Sequence, residues 1–103
     1  MTIQLTNAAM EAFCAKLNEA IEGYKALADN KMMELEDAII KACLEELWVK
    51  LSKQKVEWQK QYSFHVKPSW AFAILLQWQG HVDSTHAGIT IHNICLKIDK
   101  HFA

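Results

Sequence analysis

The chain has 103 residues, of which 51% are apolar, with four Trp, three Gly and one Pro. This is the composition of one packed domain spanning residues 1–103, and it excludes a disordered or low-complexity chain. All eleven positive side chains are Lys, and the absence of Arg argues against specific readout of nucleic-acid bases. Charge is uneven, because residues 1–46 hold nine acids and four Lys (net −5), whereas residues 47–103 hold three acids and seven Lys (net +4).

No membrane span or secretory leader is predicted. The longest strongly apolar run, residues 70–78, is far shorter than the roughly 20 residues that cross a bilayer. Residues 1–13 lack a basic segment followed by an apolar one. Three widely spaced cysteines without a CxxC pair indicate reduced thiols and neither a disulfide framework nor a zinc site. We therefore expect a cytoplasmic protein without membrane contact.

An amphipathic helix is predicted over residues 6–28, with Thr6 or Asn7 as its N-cap. Its apolar residues recur at steps of three and four: Met10, Phe13, Cys14, Leu17, Ala20, Ile21, Tyr24 and Leu27. Asp29 and Asn30 favour a break, because their side chains compete for local backbone hydrogen bonds. A kinked continuation of the helix is the alternative.

A second helix follows with the same period. Its apolar residues are Met32, Leu35, Ile39, Ile40, Cys43, Leu44, Leu47, Trp48 and Leu51. Acids cluster near its start and lysines near its end, as the helix dipole favours.

From Val56 to Val66 the period changes to two, which predicts a strand. Lys60 interrupts its apolar face and suggests a position near a sheet edge, and Pro68 then favours a reversal. Residues 70–79 alternate large and small side chains, which favours a central strand. A short buried helix with Ser69 as N-cap and Gly80 after its end is the alternative.

Residues 88–98 also allow two interpretations. The apolar residues change parity near His92, which a β-bulge would explain, although a helical stripe from Ala87 to Phe102 fits as well. We favour the bulged strand, because it completes a three-stranded antiparallel sheet. The predicted fold is α+β, with two N-terminal amphipathic helices packed on that sheet in the order α-α-β-β-β. An all-α helical bundle is the alternative.

No catalytic, metal or cofactor site is predicted. The segment 81–86 contains His81, Asp83, Ser84 and His86, but triad residues come from separate elements, and the GxSxG and HExxH patterns are absent. Cys95 could meet His92 one helical turn away, yet its apolar neighbours indicate a buried thiol. The three glycines are isolated and form no phosphate-binding loop.

These observations predict a non-enzymatic protein-interaction module, such as an adaptor, an assembly factor or an inhibitor that occupies the surface of a larger partner. Phages and other mobile elements encode small blockers of this kind, which suggests such an origin. The predicted partner-binding residues are Leu35, Ile39, Leu44, Leu47, Trp48 and Trp58. The alternative is weak, sequence-independent binding of single-stranded nucleic acid, for which the candidates are Lys50, Lys53, Lys55, Lys60, Lys67 and Trp58.

A homodimer formed mainly through the two N-terminal helices is also expected. The second helix carries two adjacent apolar rows, one with Leu35 and Ile39 and one with Ile40, Leu44, Leu47 and Leu51. One row can pack inside the molecule, and a second copy would cover the other.

Overall fold

The computed structural model describes residues 1–80 and 83–103. Its elements are β1 (Thr2–Thr6), α1 (Asn7–Asp29), α2 (Leu35–Gln54), β2 (Gln61–His65), α3 (Pro68–Trp78) and α4 (His86–Phe102). The described chain thus forms four helices and one two-stranded antiparallel sheet. The predicted α-α-β-β-β fold with a three-stranded sheet is wrong, since helices replace two of its three strands. The all-α alternative comes closer but omits the sheet.

Both N-terminal helices are confirmed, as is the break between them. Thr6 caps α1, its hydroxyl accepting from the Ala9 amide at 3.2 Å. After α1, Lys31 adopts φ 56°, which no helix continues. A capping box then starts α2, in which the Asp37 carboxylate accepts from the Glu34 amide at 3.1 Å. The residues expected to end the first helix therefore do so.

The predicted strand over 56–66 is shorter in the structure, because only Gln61–His65 pairs with another strand. Its partner is β1, in a register that sets Ile3 opposite Phe64 and Leu5 opposite Tyr62. These four side chains are buried, while the alternate residues face outward. The sheet therefore joins the N-terminus to the middle of the chain.

Residues 70–78 form helix α3, so the predicted central strand is wrong. Pro68 occupies the first helical position, where its missing N–H costs nothing. Gly80 follows the helix with φ 85°, a value that suits glycine. The buried side chains fall at helical spacing: Trp70, Ala71, Ala73, Ile74 and Trp78. The large side chains that alternate in the sequence are thus divided by the helix, with Trp70, Ile74 and Trp78 in the core and Phe72 and Leu76 exposed.

Helix α4 replaces the predicted bulged strand over 88–98. The hydroxyl of Thr85 accepts from the Gly88 amide at 3.0 Å and caps the helix. Ile91, Ile94 and Ile98 are buried along one stripe. The parity change near His92 is therefore the sequence signature of a helical stripe and marks no bulge.

Helix α1 is central to the core. It packs against the sheet and against α2 and α4, while α3 contacts α2 and α4. The Phe13 ring lies 6.5 Å from the Phe64 ring and 6.2 Å from the Trp78 ring, which links the sheet, α1 and α3. Within residues 1–80 and 83–103, none of the helices is both long and apolar enough to cross a membrane.

Candidate interaction surface

The residues predicted to bind a partner divide into two sets in the structure. Leu44 and Leu47 are fully buried in the core, and Trp48 is half-buried against it. Leu35, Ile39 and Trp58 are exposed. In this fold only the second set, with the outer edge of Trp48, can contact another molecule directly.

The start of α2 forms one exposed apolar group. Met32, Leu35 and Ile39 are accessible there, with Leu35 78% exposed. Acids surround them, since Glu34, Glu36 and Asp37 lie in the same turn of chain. This apolar group is small. The acids around it lie at the N-terminus of α2, where their negative charge stabilises the positive end of the helix dipole.

The loop over residues 55–60, named here the Trp58 loop, displays a second group. Val56 is exposed and Trp58 is 75% exposed. The hydroxyl of Tyr62 organises this loop from below: it accepts from the Gln59 amide at 3.2 Å and donates to the Glu57 carbonyl at 3.2 Å. Trp58 is thus displayed by a loop that is held in place at two backbone positions.

The third group comprises the exposed large apolar side chains of α3 and α4, two helices that contact each other, and is named here the α3–α4 face. It consists of Phe72, Leu76, Ile89, Leu96 and Phe102. Phe72 and Phe102 stack across the two helices with ring centroids 5.9 Å apart. Nearby, the Gln79 amide donates to the Asp99 carboxylate at 3.3 Å. The aromatic stack and this hydrogen bond thus join the two helices at the face.

Sequence reasoning missed the α3–α4 face, although a signal was present. Helix α3 contains no charged residue in Pro68–Trp78. Read as a helix, it is apolar on its buried side and also carries Phe72, 57% exposed, and Leu76, 62% exposed, on its outer side. A helix that is apolar all round is normally covered on all sides.

The lysines proposed for nucleic-acid binding have contacts within the protein. Lys55 pairs with Glu11 at 3.1 Å. Lys50 and Lys67 both lie over the ring of buried Trp70, with Nζ to centroid distances of 5.3 and 4.9 Å. Lys53 and Lys60 are exposed, and Lys60 lies at the other end of β2 from Lys67. The candidate lysines therefore form no single patch around Trp58.

The polar segment before α4 has a structural role. The Thr85 amide donates to the Asp83 carboxylate at 2.9 Å, and the Thr85 hydroxyl donates to the same oxygen. These hydrogen bonds hold the pKa of Asp83 below its usual value. Ser84 is exposed beside them.

His81 lies outside the described residues, so the structure does not describe the set of His81, Asp83 and His86 as metal ligands. Elsewhere in the described chain no three His, Cys, Asp or Glu side chains group as metal ligands.

Cys95 and His92 do not form a catalytic pair. Cys95 is buried while His92 is exposed on α4. Burial raises the pKa of the Cys95 thiol to about 11, so the nucleophilic thiolate is scarce at neutral pH. Burial likewise raises the pKa of Cys14, whose thiol lies 3.8 Å from the Met10 sulfur. These thiols behave as apolar core groups.

An open groove of about 380 Å³ lies between α1 and α3. Lys16 and Glu19 form an ion pair at 3.8 Å on its rim, and the Tyr24 hydroxyl donates to the Gln77 side-chain oxygen across it. Burial is the main cause that raises the pKa of Tyr24. Among the described residues that line this groove there is no Ser, Thr, Cys or His, so it holds neither a serine, threonine or cysteine nucleophile nor an imidazole base.

Comparison of the chain with models of protein families, with curated proteins and with solved structures found no match in any of the three. The function is therefore argued from the geometry of this chain alone.

Proposed function

We propose that this chain is a non-enzymatic interaction protein: an adaptor, an assembly factor or an inhibitor that covers part of the surface of a larger protein. The proposal puts the α3–α4 face at the centre of that contact, and it puts the protein in the cytoplasm, where its three free thiols stay reduced.

One observation carries the proposal. Helix α3 has no charged side chain, yet it leaves Phe72 and Leu76 more than half exposed. Large apolar side chains that are exposed together on two adjacent helices are typical of surfaces that bind proteins. The stacking of Phe72 on Phe102 also limits the rotamers of both rings, which reduces the entropy lost when a partner covers them.

The nucleic-acid alternative has less support. Lys55 is paired with Glu11, and Lys50 and Lys67 are engaged with the ring of Trp70. Aromatic stacking of bases would depend on Trp58, and of the exposed candidate lysines Lys53, Lys60 and Lys67 the last is engaged with Trp70.

Two matched double variants test the proposal. Phe72→Gln with Leu76→Gln alters the α3–α4 face, and Leu35→Gln with Ile39→Gln alters the start of α2. Each pair is spaced i,i+4 on a helix, and Gln is a good helix former, so both proteins should fold. Binding would cover the exposed half of Phe72 and Leu76, worth about 1–2 kcal/mol each. We expect the first variant to bind a partner at least about 30-fold more weakly.

The measurement is quantitative capture by the tagged full chain from a lysate of cells that encode it. Wild type and the Leu35/Ile39 variant should retain the same protein, and the Phe72/Leu76 variant should lose it. Equal retention by all three, or retention of nothing beyond the tag control, would contradict the proposal.

The homodimer stays a prediction, and burial in the fold limits which of the predicted contact residues a second copy can reach. The row with Leu44 and Leu47 is buried, so of the two predicted rows the one with Leu35 and Ile39 remains for contact through α2. Light scattering coupled to size exclusion measures this directly. A dimer through α2 has twice the 11.8 kDa chain mass and dissociates in the Leu35/Ile39 variant. A dimer that dissociates only in the Phe72/Leu76 variant would mean that a second copy is the partner of the α3–α4 face.

A further inference from the structure

The backbone groups of the two-stranded sheet that point outward can be identified from the bonds at its two ends. The Val66 amide donates to the Met1 carbonyl at 2.8 Å, and the Asn7 amide donates to the Lys60 carbonyl at 3.0 Å. In an antiparallel pair, residues bonded to the partner strand alternate with residues whose N–H and C=O point away from it. The odd-numbered residues of β1 therefore bond to β2, and the even-numbered ones point to the free edge.

On β2 the outward groups belong to Gln61, Ser63 and His65, and side chains of α2 bond to the last two. The Gln54 side-chain amide donates to the Ser63 carbonyl at 2.9 Å. The Lys50 ammonium donates to the His65 carbonyl at 2.9 Å. These two bonds confirm the alternation, and they occupy two of the three outward acceptors that another strand would need.

On β1 the corresponding edge is open. Thr2 and Gln4 are exposed, and no protein group among residues 1–80 and 83–103 bonds to their outward N–H and C=O. An adjacent groove of about 200 Å³ separates this edge from α4; its lining residues are Gln4, Leu5, Thr6, Ala9, Thr90, Asn93, Ile94 and Lys97. A second groove of about 420 Å³ continues past the start of β1, lined by Met1, Thr2, Lys97, Lys100 and His101. The two grooves share Lys97 and together follow β1 along its length.

We infer that this edge binds an extended acidic peptide segment of a partner protein, which adds a third strand to the sheet beside β1. The outward N–H and C=O groups of Thr2 and Gln4 are spaced two residues apart, and a second extended backbone can form hydrogen bonds with groups at that spacing. The groove is apolar near Leu5 and Ile94, whereas Lys97 and Lys100 line its other end without any carboxylate. The segment that fits therefore has an apolar residue opposite Leu5 and a carboxylate two residues away, near Lys97.

A second copy of the chain fits this edge poorly. Residues 2–6 carry no carboxylate that could meet Lys97 and Lys100. Helix α4 lines the groove beside this edge in every copy, so pairing two β1 strands about a two-fold axis would bring the two α4 helices toward each other. A peptide segment without such a helix avoids this overlap.

The test uses the isotope-labelled full chain and a synthetic probe, the capped hexapeptide Thr-Val-Thr-Glu-Thr-Glu. Paired antiparallel to β1, this peptide places Val opposite Leu5 and its first Glu opposite Ile3. We expect saturable changes in the amide signals of Gln4 and Lys97, and none at Leu35. Methylating the peptide nitrogen opposite Gln4 removes a donor to the Gln4 carbonyl and should weaken binding by about tenfold or more.

A charge exchange supplies the matched control. Replacing both Glu of the probe by Lys should weaken binding to wild type, and Lys97→Glu should reverse that preference. Lys97 is exposed on α4, so this variant should keep the fold. Three outcomes would overturn the inference: no amide change at Gln4 up to the solubility limit of the probe, equal binding of the methylated peptide, or a Gln4 amide already protected in a dimer of the free chain. None of these outcomes depends on the α3–α4 face.

Discussion

Replacing Tyr62 by Phe should destabilise the protein and release the Trp58 loop. The Tyr62 ring is buried between the sheet and α1, and Phe keeps that packing. The lost hydroxyl accepts from the Gln59 amide at 3.2 Å and from the Asn7 side chain at 3.4 Å, and it donates to the Glu57 carbonyl at 3.2 Å. All three bonds are long for their type, and water can reach the loop partners.

The net loss follows from these contacts. A typical hydrogen bond contributes about 0.5–1.5 kcal/mol, and partial replacement by water reduces the sum for three long bonds, so we expect a loss of about 1–2 kcal/mol. Urea unfolding measures it as a lower midpoint at unchanged slope. Hydrogen exchange should also be faster at the Gln59 amide in the variant than in wild type, and this increase should be larger at Gln59 than at amides elsewhere in the molecule.

Tyr24→Phe is the matched control, since Tyr24 is the other tyrosine of the chain. Its hydroxyl makes one side-chain hydrogen bond, to Gln77, so we expect a loss of about 0.5–1 kcal/mol and no change at Gln59. If Tyr62→Phe changes stability by less than Tyr24→Phe and leaves the Gln59 amide protected, the Tyr62 hydroxyl does not organise the Trp58 loop.

Three further predictions concern burial and pH. Leu47→Ala should lower the free energy of unfolding by about 2–5 kcal/mol, whereas exposed Leu35→Ala should change it by less than about 0.5 kcal/mol; similar losses in chemical denaturation would contradict the assigned core. Because burial raises the pKa of Cys95 to about 11, iodoacetamide at about pH 8 should label half-buried Cys43 first, as peptide mass spectrometry would show; equal labelling rates would refute this. Since hydrogen bonds lower the folded pKa of Asp83, its contribution to stability is complete above the unfolded value of about 4 and is lost as pH falls through the folded one. Asp83→Asn should therefore lose less stability than wild type on acidification, and parallel stability curves would count against the Asp83 contact.

Long periodic segments allowed sequence reasoning to succeed for α1 and α2. Each spans at least 20 residues, so several turns repeat the same apolar stripe, and the side chains around Asp29 mark the break. In α1 the predicted stripe is buried at Met10, Phe13 and Leu17. In α2 it is buried at Leu44 and Leu47, whereas Leu35 and Ile39 of the same predicted stripe are exposed.

The second half failed because short apolar segments fit both periods. In α3, eleven residues hold almost no polar side chain, so alternation and helical spacing cannot be separated within the segment. The decision depends on Pro68, which begins the helix, and on Gly80, which follows it. Strand β1 was missed for another reason: its five residues alternate around Ile3 and Leu5, but their partner lies about 60 residues away, and no turn joins the two strands.

The candidate surface was only partly predictable. Apolar spacing identifies the residues that need cover, but the tertiary arrangement decides which ones receive it. Leu44 and Leu35 belong to the same amphipathic helix, and α1 and α3 cover only the first. For the same reason Phe72 was expected inside a sheet and is instead exposed on a helix.

The bonds from Gln54 and Lys50 to the outer carbonyls of β2 limit how copies of this chain can aggregate. Growth of a cross-β fibre requires two free edges on each unit, so that every added strand offers a new site to the next. Here side chains of α2 bond to the outer edge of β2, so a copy that paired its own β1 with this β1 would present only its covered β2 edge to the next copy. Gln54→Leu together with Lys50→Leu would remove those bonds and leave both edges of the sheet free.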